Sequence, residues 1–222
     1  RSIEKTIIDM RGLGPSTDFG VGMYGSFMKN GELGYAVMFG NGIGNKILSN
    51  KTKKVYGSLL GRFADKKLII EAYSDCFFEP VDKSKWTMKG FIGYTSEDVS
   101  AGVEVVRQQQ NNYYNNNADL VPFGVSAFVN GSLVKGKLKA FARYDYFDND
   151  TDYEDGRTYS SPSFYYRENF VTAGIDYMPV RNIHLMPNIW FNSYSDKRTT
   201  GAVERKPDVV VRFTFAYFGL PQ

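Results

Sequence analysis

Two-residue alternation of apolar and polar side chains constrains the fold of this chain more than any other feature. In the segment 209–217, large apolar residues such as Val211 and Phe213 occupy every second position, and Arg212 lies between them. This period is typical of a β-strand with one apolar and one polar face. Helical periodicity is scarce elsewhere, so the sequence predicts an all-β protein.

Eleven segments carry this alternation and are predicted to be strands. They span 18–28, 31–41, 55–64, 68–77, 86–95, 99–108, 122–131, 137–147, 169–178, 183–194 and 209–217. A tilted strand that crosses a bilayer needs about 9–11 residues, whereas strands of soluble sheets commonly have about five or six. The strand length therefore favours a transmembrane barrel over its main competitor, a soluble β-sandwich.

The connections between these segments alternate between two lengths. Short turns lie at 29–31, 65–66, 97–98, 134–136 and 179–182, and longer polar segments lie at 42–54, 78–85, 109–120, 148–168 and 195–207. Tight turns at one end and long loops at the other are typical of an antiparallel outer-membrane β-barrel, with an apolar outer face and a polar lumen. We therefore expect residues 1–222 to form a single transmembrane barrel domain in a bacterial outer membrane.

Composition excludes several other classes of protein. With 27 basic and 24 acidic residues, the net charge of +3 is far from the basic footprint of a nucleic-acid binder. Cys76 is the single cysteine, so an internal disulfide is impossible. No run approaches the roughly 18 apolar residues of a transmembrane helix. We expect a lipid bilayer as partner, no nucleic acid and no cofactor.

Residues that alternate with the apolar ones along each strand would point into the lumen of a barrel. The charged residues among them, of both signs, are the candidates for the pore lining. The basic members are Arg62, Lys89, Lys137, Lys139, Arg143 and Arg212, and the acidic members are Glu71, Asp75, Glu104, Asp145 and Asp176. Such walls hold water and orient a field across a pore. Lys137, Lys139 and Arg143 form the densest basic row and are predicted to line an anion path. The alternative is that all these residues are simply solvated.

Aromatic residues recur near the ends of the predicted strands. The candidates for an aromatic girdle at the membrane interfaces are Trp86, Tyr94, Tyr144, Tyr177 and Tyr217. Ordinary sheet packing would explain any one of them equally well.

Enzymatic and metal sites are not predicted. His184 is the only histidine, and Ser193 points to the opposite face of the same predicted strand, so no catalytic residues are assigned. The acidic segment beginning at Asp148 has Tyr153 and Tyr159 where a calcium loop of the EF-hand type requires Gly and Glu. We therefore assign no metal ligands.

Several stretches resemble the later two-thirds of the phosphate-selective porin family. They are RSIEKTIID, DFGVGMYGSF, LGYAVMFGNGIGN, YGSLLGRF, FARYDYFDND, MPNIWFNSY and RFTFAY, which together cover nearly the whole chain. The resemblance implies a passive diffusion pore, commonly trimeric, for small hydrophilic or anionic solutes. The terminal aromatic residue of such barrels is replaced here by the segment 219–222. The selectivity loop and arginine ladder of the family would lie largely upstream of residue 1.

Topology adds an expectation about strand number. Single-chain bacterial barrels have an even number of strands, and eleven is odd. We expect this chain to be the C-terminal part of a barrel of about 16–18 strands, the size of general porins. The alternative is a complete twelve-stranded barrel in which residues 1–10 form the additional strand. A second function also stays open, in which the barrel is a structural or interaction partner that binds through its long loops.

Overall fold

The fold is a single antiparallel sheet of eleven strands. The structure is a computed structural model that describes residues 6–15, 17–44, 52–80, 83–114, 118–180 and 182–218. The strands are β1 (Gly20–Ser26), β2 (Leu33–Gly40), β3 (Lys53–Phe63), β4 (Leu68–Phe78), β5 (Ser84–Thr95), β6 (Val99–Asn111), β7 (Phe123–Val134), β8 (Leu138–Asp148), β9 (Tyr166–Tyr177), β10 (Ile183–Asp196) and β11 (Asp208–Tyr217). The all-β prediction is confirmed.

Spatial order in the sheet follows sequence order from β1 to β11. Each strand therefore pairs with its neighbours in the chain, and the sheet is an uninterrupted meander. All eleven predicted segments are strands, but several extend further at the long-loop end. β6 continues to Asn111 and β9 begins at Tyr166. The sequence did not predict these extensions, because the polar residues there do not show the alternation of apolar and polar side chains.

Short and long connections lie at opposite ends of the sheet. The short-turn end carries residues 27–32, 64–67, 96–98, 135–137 and 178–182, and the long-loop end carries 41–52, 79–83, 112–122, 149–165 and 197–207. The connection 79–83 is shorter than predicted, because β4 continues to Phe78 and β5 begins at Ser84. The backbone N–H of Glu79 donates to the carbonyl of Lys83 over 2.9 Å, which closes this turn.

The predicted twelfth strand is wrong for the part of it that the structure describes. Residues Ile7–Met10 form one helical turn, α1, whereas residues 1–5 lie outside the described ranges. A short 3-10 helix, Pro162–Tyr165, precedes β9. In the described part of the chain, no helix is long and apolar enough to cross a membrane. Within the same ranges β1 and β11 do not pair with each other, so the sheet is not closed.

Candidate functional site

The two faces of the sheet reverse the burial pattern of a water-soluble protein. On one face Val211 is 80% exposed and Phe213 is 66% exposed, whereas on the other Asp145 is fully buried and Thr87 is 1% exposed. Charged side chains are seldom buried unless they are paired, and a soluble sheet buries its apolar face instead. The protected, charged face is therefore the candidate functional site, and we call it the polar face.

Strand register places nearly all the predicted charged residues on the polar face. Directly opposed residues lie on the same face of a sheet, and the ladder joins Phe91 to Glu104, Ser126 to Asp145, and Lys139 to Asp176. Followed across all the strands, it places ten of the eleven predicted residues on this face: Arg62, Glu71, Asp75, Lys89, Glu104, Lys139, Arg143, Asp145, Asp176 and Arg212.

Lys137 is the exception, and its prediction as part of the wall is corrected. It lies exposed in the turn 135–137, one residue before β8 begins. Gly136 in this turn has a φ of +70°, a left-handed conformation that glycine adopts without strain. The turn therefore ends later than the apolar pattern indicated, and the dense basic row is reduced to Lys139 and Arg143.

A network around Lys89 occupies the middle of the polar face. The ammonium of Lys89 lies 2.9 Å from Oε2 of Glu71 and 3.8 Å from Oε2 of Glu104. Ser58 donates a hydrogen bond of 3.0 Å to Oε1 of Glu71, and the Lys89 ammonium stands 5.4 Å above the ring of Tyr73. The three charges come from β4, β5 and β6, so they bind neighbouring strands together on the face that carries few apolar contacts.

A second network lies nearer the long-loop end. Lys54 Nζ is 3.0 Å from Oδ2 of Asp75, and the Tyr73 hydroxyl donates to the same carboxylate over 2.6 Å. Tyr56 donates over 2.6 Å to Asp18, which precedes β1 and also accepts backbone hydrogen bonds from the loop 41–52. Partial burial raises the pKa of Asp18, but these hydrogen bonds outweigh it and the net pKa is lowered. The ionised carboxylate therefore fastens this loop to the sheet.

Two further predicted cations, Arg143 and Arg212, are also engaged. The Arg143 guanidinium binds Asp145 through two hydrogen bonds of 2.7 Å. Arg212 donates to Oδ1 of Asn188 over 3.2 Å, and its guanidinium lies 3.6 Å from the centre of the Trp190 ring. Arg143 in the basic row is thus paired with an acid, and the predicted anion path has less positive field than the sequence indicated.

His184 pairs with an acid on the polar face. Its Nδ1 lies 2.8 Å from Oδ1 of Asp176. Among the residues that the structure describes, no serine is hydrogen-bonded to this pair, so the geometry supplies no nucleophile of the kind a catalytic triad requires. We assign the pair a structural role in joining β9 to β10.

The segment 6–15 packs against the polar face, which sequence reasoning did not anticipate. Ile7 is fully buried in a small cluster with Leu13, Val106 and Phe147. Gly124 leaves the necessary space, since a Cβ there would lie 2.7 Å from Cδ1 of Ile7. This segment narrows the space over the polar face at one position.

Polar contacts also hold the segment 6–15. Arg11 Nη1 lies 2.5 Å from Oε2 of Glu168, and Gln108 donates a 2.7 Å hydrogen bond to the carbonyl of Leu13. Arg11 and Glu168 are far apart in the chain, so no local pattern indicated this contact. The one visible signal was the poor alternation of the segment itself.

Acidic residues at the end of β8 and in the long loop 149–165 organise the long-loop end. Asp150 is fully buried and accepts hydrogen bonds from the Tyr114 hydroxyl and the Val121 backbone. Asp148 pairs with Lys197 over 2.7 Å. Within the described ranges no group of three or more His, Cys, Asp or Glu residues is placed to hold a metal ion.

The five predicted girdle residues all lie on the exposed apolar face. Tyr94, Tyr177 and Tyr217 are close to the short turns, whereas Trp86 and Tyr144 lie nearer the long loops. Each is between 43% and 62% exposed. All five are therefore placed where a lipid environment would contact them, although Tyr144 lies only one outward row from Tyr94 in the register.

No protein-family model and no curated protein matches this chain.

Proposed function

We propose that the sheet is the wall of a water-filled pore in a bacterial outer membrane, through which small hydrophilic or anionic solutes diffuse passively. The observation that carries this proposal is the reversed burial pattern. Val211 and Phe213 are exposed where lipid would cover them, and charged residues such as Asp145 line the protected side. Apolar groups in lipid and charged groups toward a wet lumen satisfy both solvents.

Strand length supports the same proposal. β3, β4 and β8 each contain 11 residues, which corresponds to about 36 Å at roughly 3.3 Å per residue. A strand tilted by about 40° then spans about 28 Å along the membrane normal, enough to cover an apolar band about 25 Å tall. This length would suit a strand that spans a bilayer, and it exceeds that of most strands in soluble sheets.

Closure of such a pore requires further strands. In an antiparallel meander of eleven strands, β1 and β11 run in the same direction, so they cannot pair with each other in antiparallel fashion. An even total requires an odd number of additional strands. We propose a barrel of about 16 or 18 strands, in the range of general porins, and expect an intact mass of the natural protein well above 25.1 kDa.

Both signs of charge on the polar face favour a weakly selective pore. Lys89 lies among acids, Arg143 is paired with Asp145, and the segment 6–15 narrows the lumen. Such walls hold water without binding a solute tightly. We further propose the trimer that the resemblance to phosphate-selective porins implies.

The test is the conductance of the purified natural protein, with its additional strands, in planar bilayers. We expect stable channel steps in potassium chloride and a reversal potential near zero in a salt gradient. Absence of channel steps, with the protein shown to be inserted, would contradict the pore and favour the interaction-partner function. The ordered aromatic cluster of Tyr114, Tyr159 and Phe164 at the long-loop end would then be the surface to test for a partner.

A further inference from the structure

Two strand arginines lie on the apolar face, and one of them, Arg167, is paired with Asp148 over 3.2 Å. Arg107 of β6 lies opposite Met88 and Phe123, two apolar residues on the same face. Its side chain is exposed and makes no hydrogen bond or ion pair with any other described residue. A cation in apolar surroundings is costly unless an anion or water reaches it. Arg107 therefore requires a partner that the described part of the protein does not supply.

An apolar groove of about 900 Å³ begins at this arginine. Small residues on adjacent strands, Ala72 and Gly90, form its floor, and Trp86 and Leu59 belong to its walls. A Cβ added to Gly90 would meet no atom within 4 Å, so the space above this glycine is open. The indole N–H of Trp86 donates to Ser74 over 2.7 Å, which fixes the ring beside the groove.

The groove crosses the sheet diagonally toward the short-turn end. It extends from Arg107 on β6 to Tyr35 on β2, and the ring of Tyr35 stacks against Phe27 at 4.9 Å. Four inter-strand steps of about 4.8 Å give a length of about 19 Å across the strands.

We propose that this groove binds a membrane lipid, with an acyl chain over Gly90 and Ala72 and the lipid phosphate at Arg107. The occupant follows from the chemistry of the site: the lining is mostly apolar, and Arg107 stands at its long-loop end near Trp86. Lys89 also belongs to the lining, but its ammonium is paired with Glu71 on the polar face. Arginine forms paired hydrogen bonds with phosphate oxygens, and its aliphatic stem can lie along apolar surface. The inference rests on the proposed function because it places the apolar face in lipid.

Native mass spectrometry of the purified protein in nonionic detergent tests the site directly. Three probes are added separately: dioleoylphosphatidylglycerol, dioleoylglycerol, which has the same chains without phosphate, and inorganic phosphate. We expect saturable binding of the phospholipid and at least about tenfold weaker binding of the other two probes. Dioleoylglycerol lacks the phosphate that Arg107 would bind, and inorganic phosphate lacks the acyl chains that the groove would hold. Equal binding of dioleoylglycerol, or displacement of the phospholipid by millimolar phosphate, would overturn the proposal.

Variants separate the groove from general adhesion of lipid. Arg107→Gln should weaken phospholipid binding about tenfold. Arg107→Lys keeps the charge but loses the paired hydrogen bonds, so it should weaken binding less than Arg107→Gln does. Gly90→Leu should fill the groove and abolish binding. Lys135→Gln removes a 75% exposed lysine at the opposite end and should leave binding unchanged. Wild-type affinity in correctly folded Arg107→Gln and Gly90→Leu would overturn the inference. Channel conductance without lipid binding would contradict only the proposed lipid site, whereas lipid binding without conductance would contradict only the proposed pore.

Discussion

Two lysines, each flanked by two carboxylates, allow a matched test of whether the polar face is protected from solvent. Lys89 lies 2.9 Å from Glu71 and 3.8 Å from Glu104, and its side chain is 15% exposed. Lys135 in the turn 135–137 has comparable contacts of 3.8 Å and 3.5 Å to acids of the neighbouring turn, but it is 75% exposed. The two sites therefore differ chiefly in their exposure to water.

The expected magnitudes follow from that difference. With an effective dielectric constant of about 20, the two contacts of Lys89 correspond to about 10 kcal/mol of attraction before desolvation is subtracted. Removing one partner of a protected ion pair is measured at about 3–5 kcal/mol. We therefore expect Lys89→Met to lower the free energy of unfolding by about 3 kcal/mol, because it leaves Glu71 and Glu104 without their shared cation. Lys135→Met should change it by about 0.5 kcal/mol or less.

Urea unfolding in phospholipid vesicles, followed by the fluorescence of Trp86 and Trp190, measures both variants. Neither substitution alters a tryptophan, so the same signal serves for all three proteins. Indistinguishable midpoints and slopes for Lys89→Met and Lys135→Met would refute the reasoning, since the two lysines would then be equally solvated. A loss of unfolding free energy in Lys89→Met that disappears in high salt would also contradict the reasoning, because salt screens protected ion pairs much less than exposed ones.

Three further predictions address other parts of the molecule. Val211→Lys should destabilise the folded protein in lipid by about 2–4 kcal/mol, whereas Thr214→Lys on the polar face should cost about 0.5 kcal/mol or less, as measured by gel mobility of the folded form in urea. Ile7→Asp should release the segment 6–15 at a cost of about 3 kcal/mol and raise single-channel conductance; unchanged conductance would show that this segment does not narrow the pore. Hydrogen bonds from Thr199 and from a tyrosine hydroxyl lower the pKa of Asp155, so the stabilisation is present above about pH 3.8 and is lost as pH falls toward the folded pKa. Hydrogen exchange of the Thr199 amide should accelerate over that range, and Asp155→Asn should remove the acid dependence.

The face of the sheet on which each side chain lies was predictable, because the two-residue alternation of side chains is a property of strand geometry alone. Glu104 and Asp145 were assigned to one face from their neighbours in sequence, and the register places them there. Lys137 was misplaced because the apolar pattern does not mark where a turn ends. The chain reverses at Gly136, and the lysine after it remains in the turn.

The pairing of charges was only partly predictable. Arg143 and Asp145 are two apart on one strand, so their contact lies within the reach of a local pattern, although it was not drawn from the sequence. The contact between Arg11 and Glu168 joins segments that are distant in the chain. It depends on where an irregular segment folds back, which periodicity does not encode.

Strictly sequential pairing of the strands has a consequence for folding kinetics. Every ladder joins neighbours in the chain, and the turns 64–67 and 96–98 close over only a few residues, so little chain entropy is lost at each step. Each added hairpin extends an edge that is already formed, and low contact order of this kind favours rapid growth. In the barrel proposed above, the one exception is the seam, where β11 must meet the first of the additional strands, which is distant in sequence. We therefore expect seam formation to be the slow step of assembly, and substitutions at the outer edge of β11 to change the folding rate more than equal substitutions within β5.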